Sequence, residues 1–369
     1  MKKNSVGKTV LEFDEPLFNE LRRAYELKTQ PVSSYWGEYV RSIVSVIERD
    51  QLSGFGQNYF LTQGFGDALK TTIPRYRLRK ILVLPALYKI VEKYSAIYRY
   101  EKTKNGLFDR VKGALCSLDF ARFLAQRLDP VTKDLGINRY IYMEGKQVPY
   151  RYLMFLLYLE MLSRIASAQE VALDPDDIFD GNYMDIGGGY GCTCDSASLF
   201  KEYRSIGRST VNYTLDQFPV TFIANQFLKF RGAGNIFDPI YLGRNSEGNV
   251  SEEISASCFR VVQNDAVKGL EKLNIKLFFN ANSFQEMDAS QIEEYCEFMN
   301  KNKSAPAYLA AFLYDSDKVS NSTKMPLDIL KNNFSMIGSM HIKELFGNSD
   351  RNIPHGIIKG SMYLFRLDR

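Results

Sequence analysis

Residues 183–191 read YMDIGGGYG, and this stretch decides the fold. A short apolar strand ends in Asp185, then Gly187, Gly188, Gly189 and Gly191 follow, and then a helix begins. Glycines at such a turn let the backbone approach a ligand with no Cβ in the way. The helix behind the turn offers unpaired N–H groups and the positive end of its dipole. Dinucleotides and S-adenosylmethionine both use a turn of this kind, and spacing separates them. A dinucleotide fingerprint runs G-x-G-x-x-G/A, and counted from Gly187 its last position is Cys192. The pattern present is D-x-G-x-G-x-G. The acid before the loop suits a cationic amino group and repels a pyrophosphate. A structural turn is the bland alternative, but glycines at alternate positions beside an acid exceed what a turn requires.

Downstream, short apolar segments at 183–186, 211–215, 259–263, 276–280 and 308–314 alternate with helical patterns at 193–203, 220–229, 290–300 and 326–332. That alternation predicts βαβ units and a mainly parallel sheet. Residues 335–342 and 360–367 add two closing strands joined by a long loop. The polar stretch 241–257, YLGRNSEGNVSEEISAS, reads as a surface insertion. Asp216 ends the second strand, where a carboxylate can accept two ribose hydroxyls. The competing role is an N-cap for the next helix. Asp265, with Asn264 before it, ends the third strand, where a side-chain oxygen can take an adenine amino group. A turn carboxylate is its bland reading. Each acid alone is weak, but three at successive strand ends on the ligand edge of an open α/β sheet form a set.

The fourth strand runs into residues 279–288, FNANSFQEMD, which gather Asn282, Ser283, Gln285 and Glu286 at the same edge. Methyl transfer from a sulfonium needs alignment of the acceptor above all. A hydroxyl acceptor also benefits from a base. Glu286 is placed for that, with helix capping as the alternative. His341 and His355, the two histidines of the chain, are the other candidate bases.

Upstream, residues 1 to about 175 read mostly as helix. Residues 18–27 and 35–49 carry apolar side chains at helical spacing, and 150–167, YRYLMFLLYLEMLSRIAS, is apolar almost all round and reads as a buried helix. The Gly-rich stretch 53–68 breaks regular structure. Arg75, Arg77, Arg79 and Lys80 read as a solvated helix face. The turn-rich stretch 172–182 marks a boundary, giving a helical domain over 1–175 and a second domain over 176–369.

The chain has 369 residues, with 47 Lys+Arg against 43 Asp+Glu, and a net charge of +4 does not argue for a nucleic-acid partner. Charged residues at 24% and hydrophobic ones at 45% are ordinary globular values and exclude disorder or a collagen-like repeat. The aromatic content, 25 Phe and 23 Tyr, can build a large core and line a pocket for a polar ring. Two lysines open the chain with no apolar stretch behind them, so no secretory signal is expected. The longest strongly apolar run, 152–159, falls short of the ~20 residues of a membrane span. Five cysteines, Cys116, Cys192, Cys194, Cys258 and Cys296, make an odd count that predicts reduced thiols in the cytosol. With Cys192 and Cys194 one residue apart and no second ligand pair, no metal is expected.

MDIGGGYG at 184–191, YTLDQFP at 213–219, IANQFL at 223–228 and NANSFQEM at 280–287 together resemble the bacterial sugar O-methyltransferases, class I S-adenosylmethionine-dependent enzymes often linked to surface polysaccharide assembly. The stretch 136–165 and, more loosely, SSYWGEY at 33–39 resemble that family too. The resemblance covers roughly residues 135–290. It implies a Rossmann-like seven-stranded sheet, mostly parallel, with an antiparallel C-terminal hairpin and a helical N-terminal cap that shapes the substrate pocket. It implies S-adenosyl-L-methionine as cofactor. Asp185, Gly187, Gly189 and Gly191 would hold its methionine part, Asp216 its ribose, and Asn264 with Asp265 its adenine. Glu286, with Asn282 and Gln285 beside it, would face a sugar hydroxyl, free or in a glycan. The chain departs from the family pattern at D-Q-F-P, residues 216–219, and at G-I-N-R, residues 136–139.

The leading expectation is therefore a cytoplasmic sugar O-methyltransferase with no membrane span, its oligomeric state left open. The runner-up is a nicotinamide-dependent sugar oxidoreductase, against which Cys192 at the third glycine position counts. A third reading is a degenerate fold kept as an interaction module, against which the acids at 185, 216 and 286 count.

Overall fold

A computed structural model describes residues 11–26, 34–58, 61, 118–137, 140–143, 146–168, 173–207, 209–231, 258–264, 270, 272–315, 324–346 and 359–367. Asp265, His355, the Arg75–Lys80 stretch and the expected insertion 241–257 lie outside these residues.

The chain enters through helices α1 (Glu15–Glu26), α2 (Ser34–Asp50) and α3 (Leu118–Asp134). A two-stranded antiparallel hairpin follows, β1 (Tyr140–Met143) and β2 (Lys146–Pro149). The expectation of a mostly helical first 175 residues does not include this hairpin. Asp129 on α3 accepts the Gln147 N–H at 2.8 Å, and the Thr132 hydroxyl donates to the Gln147 carbonyl at 3.1 Å, so the hairpin is tied to α3. Helix α4 (Tyr150–Ser167) and the short α5 (Pro175–Phe179) lead into the sheet.

The later elements are β3 (Asn182–Ile186), α6 (Cys192–Arg204), β4 (Val211–Asp216), α7 (Val220–Phe230), β5 (Cys258–Gln263), β6 (Ile275–Ala281), α8 (Ala289–Asn302), β7 (Lys303–Tyr314), α9 (Lys324–Asn333), β8 (Ser335–His341) and β9 (Gly360–Arg366). Strands β3 to β9 form one seven-stranded sheet in the order β5-β4-β3-β6-β7-β9-β8. β5, β4, β3, β6 and β7 run parallel, and β9 inserts antiparallel between β7 and β8. This is the Rossmann-like sheet with its antiparallel C-terminal hairpin. The chain winds outward from β3 through β4 to β5, then returns to lay β6 on the other side of β3. The carboxyl ends at that reversal are where open α/β sheets bind ligands.

Both faces of the sheet are covered, which is why its strands are apolar with little polar alternation. On one face Tyr183, Leu277, Phe279, Tyr308, Ala310 and Phe312 join a cluster with residues of α1, α2, α3, α4, α6 and α7. On the other, Met184, Ile186, Tyr213, Leu215 and Phe278 meet Ile292, Tyr295 and Met299 of α8, Leu330 of α9 and Phe334 just after it. The N-terminal helices thus share one core with the sheet. Phe18 of α1 packs edge-on against Phe222 of α7 at 5.1 Å between ring centroids, and Phe55 lies 5.6 Å from Tyr190. Aromatic pairs like these add ~0.5–1.5 kcal/mol beyond the area they bury.

Helix α4 has almost no polar face because it is enclosed. Residues 154–159 are all buried. Tyr158 packs against Phe312 of β7 at 4.8 Å and Phe279 of β6 at 5.7 Å. No helix among the described residues is long and apolar enough to cross a membrane.

Candidate active site

The glycine loop is folded back over the end of β4. The N–H groups of Gly187 and Gly188 both donate to the Leu215 carbonyl, at 2.7 and 3.2 Å. The Gly189 N–H donates to Asp216 Oδ2 at 2.9 Å. Gly187, Gly189 and Gly191 have φ of 70°, 62° and 89°, the left-handed region that side chains disfavour. Two of the loop glycines are also fixed by space. A Cβ on Gly187 would lie 2.1 Å from Ser283 Oγ, and one on Gly188 would lie 2.2 Å from Thr214 Oγ1 and 2.9 Å from Asp185 Oδ2. Gly191 caps α6 in the same left-handed geometry.

Asp185 and Thr214 are register partners on β3 and β4, so their side chains stand on one face of the sheet, directly beneath the loop. Asp185 is 1% exposed, and its Oδ2 has no hydrogen-bond partner among the described residues. Thr214 Oγ1 is likewise unpartnered. Burial pushes the Asp185 carboxyl up to about 7, with Arg151 pulling it down and Asp216 raising it further. A buried carboxylate oxygen without a donor is a costly arrangement. It is the arrangement a cationic ligand would relieve.

Asp216, half-buried at the tip of β4, accepts Gly189 N–H on one oxygen and Gln217 N–H on the other at 2.7 Å. Burial raises its carboxyl to about 7 against those two backbone bonds. A carboxylate has about four lone-pair directions, so each oxygen retains one for an incoming hydroxyl. Asp216 is not the N-cap of α7, a position held by Pro219.

At the end of β6, Asn282 adopts the left-handed conformation with φ of 75° and opens a 3₁₀ turn over Ser283–Glu286. Glu286 is half-buried and faces the same space. Its carboxyl is raised to about 7 by burial and by Asp216, with Arg151 opposing. Its neighbours are engaged in the fold. Asn280 donates to the Ile186 carbonyl at 2.9 Å and to Ser283 Oγ. Gln285 donates to the Tyr314 carbonyl at 2.9 Å and accepts the Tyr314 N–H at 2.7 Å. Gln285 therefore latches the turn to β7 instead of facing an acceptor. Asn282 Oδ1 is buried without a partner.

Asp185, Asp216 and Glu286 are thus brought together, and with them comes a cation that sequence reasoning did not select. Arg151, in the first turn of α4, acts on Asp185, Glu286, Tyr158, Tyr190 and Cys192. Its signal was that it is the last charge before the apolar run 152–159. Tyr152 beside it donates to Asp195 of α6, which also pairs with Arg231 at 2.7 Å. The Tyr152–Asp195 hydrogen bond holds α4 against the start of α6, with Arg231 neutralising Asp195, and so sets where Arg151 stands.

His341 ends β8 on the far side of β7 and β9. Its Nδ1 accepts the Lys343 N–H at 3.0 Å, and its Nε2 lies 2.7 Å from Asp315 Oδ2. Nε2 then carries the proton and donates to Asp315. Neither nitrogen offers a lone pair to a substrate, so this arrangement runs against a base at His341. Asn264 follows β5 at the sheet edge, half-buried and one residue beyond Gln263, the register partner of Asp216. Burial pushes the Cys192 thiol up to about 12, away from any nucleophilic role. Cys192, Cys194 and Cys296 are buried and outside any disulfide. Among the described residues no His, Cys, Asp and Glu group could hold a metal ion.

No protein-family model matches the chain, and no curated protein matches its sequence. Solved structures with a similar path exist. A SAM-dependent methyltransferase from Aquifex aeolicus is 14% identical over 51% of this chain and 82% of its own, with a TM-score of 0.33. The geranyl diphosphate C-methyltransferase from Streptomyces coelicolor A3(2), solved with Mg2+, geranyl-S-thiolodiphosphate and S-adenosyl-L-homocysteine, is 12% identical over 57% and 79%, with a TM-score of 0.32. A structure titled for the conversion of a disulfide bond into a thioacetal group during echinomycin biosynthesis is 13% identical over 54% and 80%, with a TM-score of 0.35. At these scores the likeness adds nothing to what the strand order already says.

Proposed function

We propose that this chain is an S-adenosylmethionine-dependent O-methyltransferase, and that its acceptor is a sugar hydroxyl, free or within a glycan. The observation that carries the reading is the convergence of Asp185, Asp216 and Glu286 around a glycine loop at the point where the strand order reverses. The residues fit the cofactor in three respects. The unpartnered Asp185 Oδ2 suits its ammonium group. The remaining lone pairs of Asp216 suit a ribose diol, and the left-handed glycine loop carries the Gly189 N–H to that carboxylate at the ligand edge of the sheet. Asn264, with Asp265, is proposed at the adenine. When bound, the cofactor supplies an activated methyl group. The protein's own part is to align the acceptor, exclude water and take one proton. Glu286 takes that proton, since a carboxyl raised to about 7 matches a base working near neutral pH. The helical N-terminal region, packed into the same core, caps the site and shapes the acceptor pocket. The sugar is supported by the resemblance of residues 135–290 alone.

Thermal shift with S-adenosyl-L-homocysteine against NAD tests the cofactor. At one hundred times Kd a ligand stabilises by ~2.7 kcal/mol. A shift with NAD alone overturns the reading in favour of an oxidoreductase. Mass spectrometry of glycans from cells with and without the protein, seeking a methyl difference, tests the acceptor.

A further inference from the structure

Four polar groups from three different elements share one electrostatic neighbourhood at the carboxyl ends of β3 and β6, and two of them come from α4. Asp185 Oδ2, Asn282 Oδ1 and the Tyr158 hydroxyl are all buried, and none has a partner in hydrogen-bonding geometry among the described residues. Tyr158 is 3% exposed. Its hydroxyl lies beside the Asn282 side chain and within the field of both Asp185 and Arg151. Arg151 is seven residues earlier, two turns along the same face of α4. Helical side chains lean toward the helix N-terminus, which carries the Tyr158 phenol toward the Arg151 end. Tyr158 cannot swing away, because its ring is held between Phe279 and Phe312.

The chemistry of the four divides in two. Asp185 Oδ2 and Asn282 Oδ1 only accept. Arg151 only donates, and Tyr158 has a proton to give. Two acceptors beside two donors match an ammonium beside a carboxylate, the free α-amino-acid end of a ligand. We propose that Arg151 and Tyr158 form the carboxylate-reading half of this pocket, opposite Asp185 and Asn282, so that the site selects a ligand ending in a zwitterionic amino acid. The inference rests on the proposed cofactor and deepens it. It assigns to α4 the task of telling the intact cofactor from fragments lacking the carboxylate. It also explains why an arginine stands at the mouth of an otherwise apolar helix, pinned there by the Tyr152–Asp195–Arg231 contact.

Calorimetry with two ligands tests it: S-adenosyl-L-homocysteine, and its decarboxylated analogue S-adenosyl-3-thiopropylamine, which keeps the amine and nucleoside. Wild-type protein is expected to prefer the first by ~30-fold, the range of a charge-assisted bidentate contact. Arg151→Gln should bring the two affinities within threefold while leaving the analogue's affinity unchanged, which also reports an intact fold. Tyr158→Phe should narrow the preference by ~5-fold. If Arg151→Gln keeps the full preference, or weakens both ligands alike, the proposal is overturned while the cofactor reading stands. If wild-type protein binds neither ligand, the cofactor reading falls and the pocket assignment with it.

Discussion

The two ends of β3 and β4 bury charge in opposite ways. At the amino end, Lys201 of α6 is 1% exposed, and its Nζ donates to the Gly181 carbonyl at 2.6 Å, Asn212 Oδ1 at 2.9 Å and Thr210 Oγ1 at 3.0 Å. Every ammonium proton has an acceptor. At the carboxyl end, about one strand length away, Asp185 Oδ2 and Thr214 Oγ1 have none. A buried polar group with its bonds complete serves the fold. One left incomplete is destabilising unless something outside the chain completes it. The contrast is one of charged groups, since Asn212 Nδ2 at the amino end is also unpartnered among the described residues. It separates a structural end of the sheet from a ligand end.

Changes at the two ends should therefore be read by different instruments. The largest effect is expected at the ligand end. Glu286→Gln should lower kcat by ~10²-fold or more, with the Kd for S-adenosyl-L-homocysteine unchanged within a factor of two. Full turnover in that variant would move the base elsewhere. Asp216→Ala should weaken the same ligand by ~1–3 kcal/mol in calorimetry. Unchanged affinity would remove the ribose assignment and leave Asp216 as a brace for Gly189. At the structural end, Lys201→Met keeps the aliphatic stem but strands three acceptors. Urea denaturation should show a loss of ~1–2 kcal/mol with ligand affinity unaltered. A variant as stable as wild type would break the comparison, because complete hydrogen bonding would then confer nothing.

The sequence made the later half of the chain legible because its signals are local. Apolar segments, glycine punctuation and helix caps lie within a few residues of one another, and the boundaries of β4 and α7 differ from the expected ones by about one residue. The hairpin at Tyr140–Pro149 was not legible. Its strands have four residues each, too few for period-two alternation to stand out beside a long apolar helix. Of the site, the acids and glycines could be chosen because their chemistry follows from residue type and strand-end position. Gln285, His341 and Arg151 could not be judged that way. Gln285 and His341 are occupied by Tyr314, Asp315 and Lys343; Lys343 is two residues from His341, but Tyr314 and Asp315 come near only in the closed sheet. Arg151 belongs to the site because Tyr152 docks α4 on Asp195, a contact spanning 43 positions.

The smallest expected effect sharpens the comparison most, because the two ends should write opposite slopes on one stability curve. Burial lifts Asp185 and Asp216 to about 7 from an ordinary carboxylate value of 3.8. Between those values the folded chain holds more protons than the unfolded one, so stability falls as pH rises from about 4 to about 7. Burial lowers Lys201 from 10.5 to about 7, against Cys194 and Asp180, which face it and favour its charge. Between 7 and 10.5 the unfolded chain holds more protons, so stability rises with pH there. The ligand-free protein should therefore be least stable near neutral pH. Asp185→Asn should reduce the acid arm alone, leaving the part that Asp216 and Glu286 contribute, and Lys201→Met should flatten the alkaline arm alone, as followed by urea unfolding at closely spaced pH. Saturating S-adenosyl-L-homocysteine should also flatten the acid arm, since an ammonium beside Asp185 favours its ionised form. The alkaline arm should not respond. If the ligand altered both arms equally, the two ends of the sheet would be coupled, and the division between structural and ligand-binding charge would not hold.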